Sequence, residues 1–100
     1  MKNKSNKLAK LERNRTSIFT DNFNKCYFCG RECKTDKHEV YGGSNRQRSM
    51  KYGLVVPLCR VCHGNEEIIS KLRIKCQYIY ELNHTREDFI KIIGKSYIKG

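Results

Sequence analysis

One hundred residues suffice for a single small domain, whose limited buried surface makes a metal or another staple an expected aid to folding. With 38% hydrophobic and 31% charged residues the chain reads as soluble, and no apolar run approaches the roughly 20 residues that a membrane span needs. The net charge of +11, from 21 Lys/Arg against 10 Asp/Glu, implies a polyanionic partner, since each phosphate contact releases counterions; the plainer alternative is a solvated basic surface.

In chain order, residues 1–16 carry Lys2, Lys4, Lys7, Lys10, Arg13 and Arg15 against Glu12. This reads as a basic flexible arm, with Leu8 and Leu11 too few to hold a helix alone. No apolar segment typical of a secretory signal opens the chain, and a cytoplasmic protein is expected. Residues 17–100 read as one domain. Ile18, Phe19 and Phe23 anchor the approach to Cys26-Tyr27-Phe28-Cys29, where Gly30 suits the tight turn that presents two thiolates to one ion. Tyr27 and Phe28 are expected to pack on that turn.

A short strand is expected over His38 to Tyr41, ended by Gly42-Gly43, followed by a polar loop from Ser44 to Met50. Leu54 to Leu58 reads as a second strand, at an edge because of Pro57, and Cys59 to His63 as the turn into a helix. Apolar residues at Ile69, Leu72, Cys76 and Ile79 give helical spacing over Glu66 to Leu82. Asn83-His84 breaks it. Thr85-Arg86-Glu87-Asp88 then has the form of a capped start, Phe89 to Ile93 follow, and Gly94 is placed to end that helix.

Six cysteines in a chain of this character suggest metal thiolates rather than a disulfide scaffold. Cys26, Cys29, Cys59 and Cys62 form two CxxC pairs with 29 residues between them, the pattern of a closed, tetrahedral, structural Zn²⁺ site. Cys76 reads as a buried helix thiol. Cys33 is either a spare loop thiol or a competing ligand near Cys29. Inside the frame, His38, Glu39 and His63 are of the types that bind a divalent ion or move a proton, and phosphodiester hydrolysis needs both services. From residue types alone, they serve equally well as surface or structural groups.

The set Cys26-x-x-Cys29, His38-Glu39-Val40-Tyr41-Gly42-Gly43, Asn45-Arg46, Ser49, Lys51 to Cys59 and Cys62-His63 resembles the HNH endonuclease family. The likeness is to its small, zinc-stapled phage and prophage members, and it extends from about Arg15 to Ile98. The resemblance implies an α+β fold: a small ββα-metal core stapled by the four-cysteine zinc site and followed by two C-terminal helices. It implies metal-dependent nicking or cutting of DNA, with a catalytic divalent ion such as Mg²⁺, Mn²⁺ or Ni²⁺, and, for a phage-encoded protein, a bacterial host cell. No membrane and no small-molecule substrate is expected. Carried over, the general base and one metal position fall on the His38-Glu39 pair, and the helix-side ligand on His63. Two registers are open. With His38 as base, the position before it holds Lys37, which cannot ligate while charged; with His38 as ligand, the base is Glu39. The first is preferred, with Glu39 assisting.

Three departures accompany the likeness. The central Asn of the motif has no match, its place being taken by Tyr52-Gly53. Lys37 replaces an Asp before the strand histidine. Gly64-Asn65-Glu66 runs into the helix without the further His that relatives carry. A working nuclease and a degenerate, zinc-ribbon-like DNA-binding copy are therefore both open readings. DNA contacts are expected from Arg46, Arg48 and Lys51 and from the basic arm, mostly to phosphates, with weak sequence preference.

Overall fold

A computed structural model of the chain describes residues 9, 10, 13 and 15–99. The basic arm expected over residues 1–16 lies largely outside the described residues. Two short strands, β1 (Asp36–Glu39) and β2 (Val55–Leu58), form an antiparallel pair in which His38 faces Val56 and Asp36 faces Leu58. The first strand begins two residues earlier than expected. Val40 and Tyr41, good strand formers, instead turn into the core, where both are buried, although the Val40 N–H still donates to the Leu54 carbonyl at 3.0 Å. Pro57 lies opposite Lys37 and is tolerated because a two-stranded sheet is all edge. Its carbonyl accepts from the Tyr27 N–H at 2.8 Å, which fastens the first cysteine turn to β2.

The stretch expected to be a loop is a 3-10 turn (Gly43–Asn45) followed by a helix, α1 (Arg46–Lys51). It is held by tertiary contacts rather than by its own periodicity. Met50 is buried, and the buried Ser49 hydroxyl accepts from the Tyr41 N–H at 3.2 Å and donates to the Tyr41 carbonyl at 2.7 Å. One serine thus pins the chain leaving β1. Gly53, at φ +73°, completes the return to β2.

Cys59 leads into α2 (Arg60–His63), a single turn. Asn65 then caps α3 (Glu66–Tyr80), its side-chain oxygen accepting from the N–H groups of Glu67 and Ile68. Leu72, Cys76, Gln77 and Tyr80 are buried, while Ile69 and Ile79 are half-buried, so the inner stripe is rotated slightly from the expected one. The last helix, α4 (Arg86–Ile93), starts with a capping box. Thr85 accepts from the Asp88 N–H at 3.0 Å, and Asp88 accepts from the Thr85 N–H at 3.2 Å. Gly94, at φ +100°, ends it in the left-handed conformation. Thr85→Ala is expected to lower stability by about 1 kcal/mol, read as a lower midpoint in thermal melts.

Tyr41 joins the layers. Its ring meets Phe89 edge-on at 5.2 Å and lies 5.3 Å from Tyr97, and its hydroxyl donates to the Arg73 carbonyl of α3 at 2.6 Å. Burial pushes that phenol far above its ordinary range, so it stays a neutral donor. Gln77, the large polar side chain of the interior, is satisfied by Glu81, Ser96 and the Tyr97 N–H, which ties the chain end to α3. The result is an α+β fold with a two-stranded sheet and its helices packed on one hydrophobic cluster. Among the described residues no helix is long and apolar enough to cross a membrane.

Candidate metal centre and the histidine pair beside it

The four thiol sulfurs of Cys26, Cys29, Cys59 and Cys62 all lie within 4.8 Å of one another. Each pair comes from a turn that the sequence dictates. After Cys26, the Cys29 N–H points at the Cys26 sulfur at 3.5 Å, and Gly30, at φ +81°, closes the loop by donating to the Cys26 carbonyl. On the other side, the Cys59 carbonyl accepts the His63 N–H at 2.8 Å, so the α2 turn brings Cys62 back beside Cys59. Sulfurs of Cys29 and Cys59 are 3.8 Å apart. Cys26, Cys59 and Cys62 are buried and Cys29 is exposed.

Four cysteine ligands in this arrangement suit Zn²⁺ in a closed, structural site. The electrostatics agree. Burial opposes ionisation of Cys26, yet the backbone N–H groups of Cys29, Cys59 and Phe28 bring its thiol down to about 6. Cys62 is driven the other way, by burial and by the neighbouring thiols. Four thiols this close resist shared ionisation, and a dication offsets that resistance. Cys33 stands outside this group and packs against the rim of the core, and Cys76 is buried within it, pushed up to about 12 by its burial. Tyr27 packs on the cluster beneath the first turn, whereas Phe28, expected to pack there too, is 42% exposed.

His38 projects from the middle of β1 and His63 ends α2, and their rings meet edge-on with centres 5.1 Å apart. Because His63 directly follows Cys62, the thiol cluster also fixes the second imidazole. His38 Nε2 is buried and has no hydrogen-bond partner. Burial first, then the charge of His63, lower its pKa to about 4; Glu39 pulls the other way, and Arg73 adds a smaller lowering. The ring is therefore neutral at physiological pH. In the unfolded chain the same group titrates near 6.5, so the stability it contributes is complete above that value and is lost as pH falls through about 4. An NMR titration should find the His38 C2 proton moving near pH 4; a midpoint near 6.5 would contradict the burial.

The third expected member, Glu39, is placed differently. Successive residues of a strand leave opposite faces, so Glu39 turns away from His38's side. Its carboxylate is held by Arg15 and, at 3.3 Å, by Arg46 Nε. Arg15, assigned to the arm, is thus anchored to the end of β1. The face that carries His38 carries instead Asp36, two residues back, whose Oδ2 lies 3.1 Å from His63 Nδ1 and 3.8 Å from Arg60 Nε. Period-two alternation along β1 puts Asp36, and not Glu39, on the face of His38, a signal present in the sequence.

Arg46, Arg48 and Lys51 all belong to α1. Arg46 reaches Glu39, Arg48 donates to Asn45 Oδ1 at 3.4 Å, and the Lys51 ammonium sits over the Tyr52 ring at 5.4 Å. A depression of about 480 Å³ is lined by Gly43, Ser44, Arg46, Gln47 and Arg48. Lys37, beside His38 in sequence, lies over the Phe23 ring at 5.5 Å. Comparison with known protein families, with curated proteins and with solved structures finds no match for this chain.

Proposed function

We propose that this protein is a metal-dependent endonuclease of HNH type that hydrolyses phosphodiester bonds in DNA. The observation that carries the reading is the His38–His63 pair. A neutral imidazole on a strand, its Nε2 buried and unpartnered, meets a second imidazole on a helix that the cysteine cluster holds in place. Such an orphaned nitrogen costs free energy unless a ligand or a proton uses it. The donor set fits a borderline divalent ion, with His63 as the helix-side ligand and His38 beside it. When bound, that ion would supply charge stabilisation to the phosphate and to the leaving oxygen.

The chain's own residues do the rest. His38, uncharged at neutral pH, accepts the proton of the attacking water. Glu39 would have to part from two guanidinium groups to take that role, which favours His38 as the base and leaves Glu39 to organise Arg15 and Arg46. Arg46, Arg48 and Lys51 on α1 provide the cationic surface for the DNA backbone, in keeping with a chain of +11 charge. Phosphate contacts of this kind position the duplex without reading its sequence.

The test is nicking of supercoiled plasmid in the presence of Mg²⁺, Mn²⁺ or Ni²⁺, with EDTA abolishing it. A second reading, a DNA-binding protein without catalysis, is favoured by the engagement of Glu39 in ion pairs rather than with the histidines. Tight, salt-sensitive DNA binding without any cleavage would establish that second reading.

A further inference from the structure

We infer that Asp36 is a positioning residue of this site: its carboxylate holds the proton of His63 on Nδ1 and so leaves the Nε2 lone pair free to ligate a divalent ion. The inference rests on the nuclease reading of the histidine pair. It begins with the strand. Asp36 and His38 are two residues apart in β1 and share a face, and Asp36 pairs with Leu58, the residue that precedes Cys59 and α2. The sheet register therefore sets Asp36 beside the turn that carries His63. The contact follows, Oδ2 to Nδ1 at 3.1 Å, between side chains that are each a little over a third exposed.

A neutral imidazole has one N–H and one lone pair. A carboxylate accepts and does not donate, so the nitrogen facing it carries the hydrogen and the other nitrogen carries the lone pair. Arg60 Nε lies 3.8 Å from the same oxygen. Metal-binding histidines generally have their second nitrogen committed in this way, which fixes the ring and raises the basicity of the ligating atom. Glu39 cannot take this part, being held by Arg15 and Arg46. Asp36 is thus the carboxylate of the site, acting through His63 rather than on the ion.

Two measurements on the full, zinc-loaded chain test this. Long-range ¹H–¹⁵N spectra should show His63 as the Nδ1–H tautomer, moving towards Nε2–H in Asp36→Ala. Calorimetric titration with Ni²⁺ should then show a second-site affinity lowered about 10- to 100-fold in Asp36→Ala, with bound zinc and melting temperature retained and partial recovery in Asp36→Glu. An Nε2–H tautomer in the unmodified protein, or unchanged Ni²⁺ affinity in Asp36→Ala, overturns the inference. Loss of zinc together with loss of the second site would reduce Asp36 to a structural role and overturns it equally. If the unmodified protein takes up no second ion, the nuclease reading fails on that result, and the tautomer alone decides whether Asp36 orients His63.

Discussion

Removal of zinc by a strong chelator is expected to unfold this domain, with the far-ultraviolet circular dichroism of the helices collapsing and returning when zinc is added back. The sheet consists of two four-residue strands, and a lone hairpin of that size is marginal in water. Three of the four clustered cysteines are themselves core residues, with Cys26 1% exposed and Cys59 and Cys62 each 4% exposed. Without the ion their sulfurs are buried against one another with no cross-link. Structural zinc binding is worth roughly 10–16 kcal/mol in small domains, comparable to or larger than the roughly 5–15 kcal/mol by which whole domains are stable. Cys26→Ser is expected to act in the same direction. A metal-free Cys26→Ser protein that still melts cooperatively would mean that the hydrophobic cluster suffices alone.

His38→Ala is expected to lower plasmid nicking by about 10²–10⁴-fold while leaving zinc content and the melting transition nearly unchanged. The two halves of this expectation have separate grounds. Loss of activity follows if the Nε2 atom accepts the proton of water. Retention of the fold follows because that atom makes no hydrogen bond, so truncation leaves no partner unsatisfied. The backbone of His38 stays in register opposite Val56, in a position an alanine can occupy. Gel quantification of nicked against supercoiled plasmid, beside zinc analysis and a thermal melt of the same preparation, reads both halves. Undiminished nicking in the variant would remove His38 from the chemistry.

The cysteine frame was legible in the sequence because thiolate geometry restricts spacing so tightly that two CxxC pairs leave few alternatives. The last helix was equally legible, since Thr85, Asp88 and Gly94 each carry a local preference that acts within one turn. Helix α1 was not. Arg46–Lys51 has no apolar period, and its form depends on Ser49 meeting Tyr41 and on Met50 entering the core, contacts set by the tertiary fold. The strand β1 was shifted for a related reason. Val40 still donates to the Leu54 carbonyl, but regular pairing with β2 ends at Glu39 opposite Val55, where the chain enters the turn that Ser49 holds through Tyr41. Among the site residues, His38 and His63 were named and are brought together. Glu39 was named and is turned aside, and its link to Arg15, 24 positions away, has no local signature.

The contact of Ile18 with Gly53 bears on how small this protein can be. Ile18 donates its N–H to the Gly53 carbonyl at 2.9 Å, and a Cβ on Gly53 would come within 2.9 Å of Ile18 Cγ2. Gly53 also holds φ +73°, so a side chain there is strained as well as crowded. Three residues earlier, Arg15 grips Glu39 at the end of β1. The segment before the first cysteine is therefore a clasp that reaches the end of β1 and the turn leading into β2. A chain shortened to begin at Cys26 would keep Cys26, Cys29, Cys59, Cys62, His38 and His63 but lose both the Ile18–Gly53 and the Arg15–Glu39 contacts.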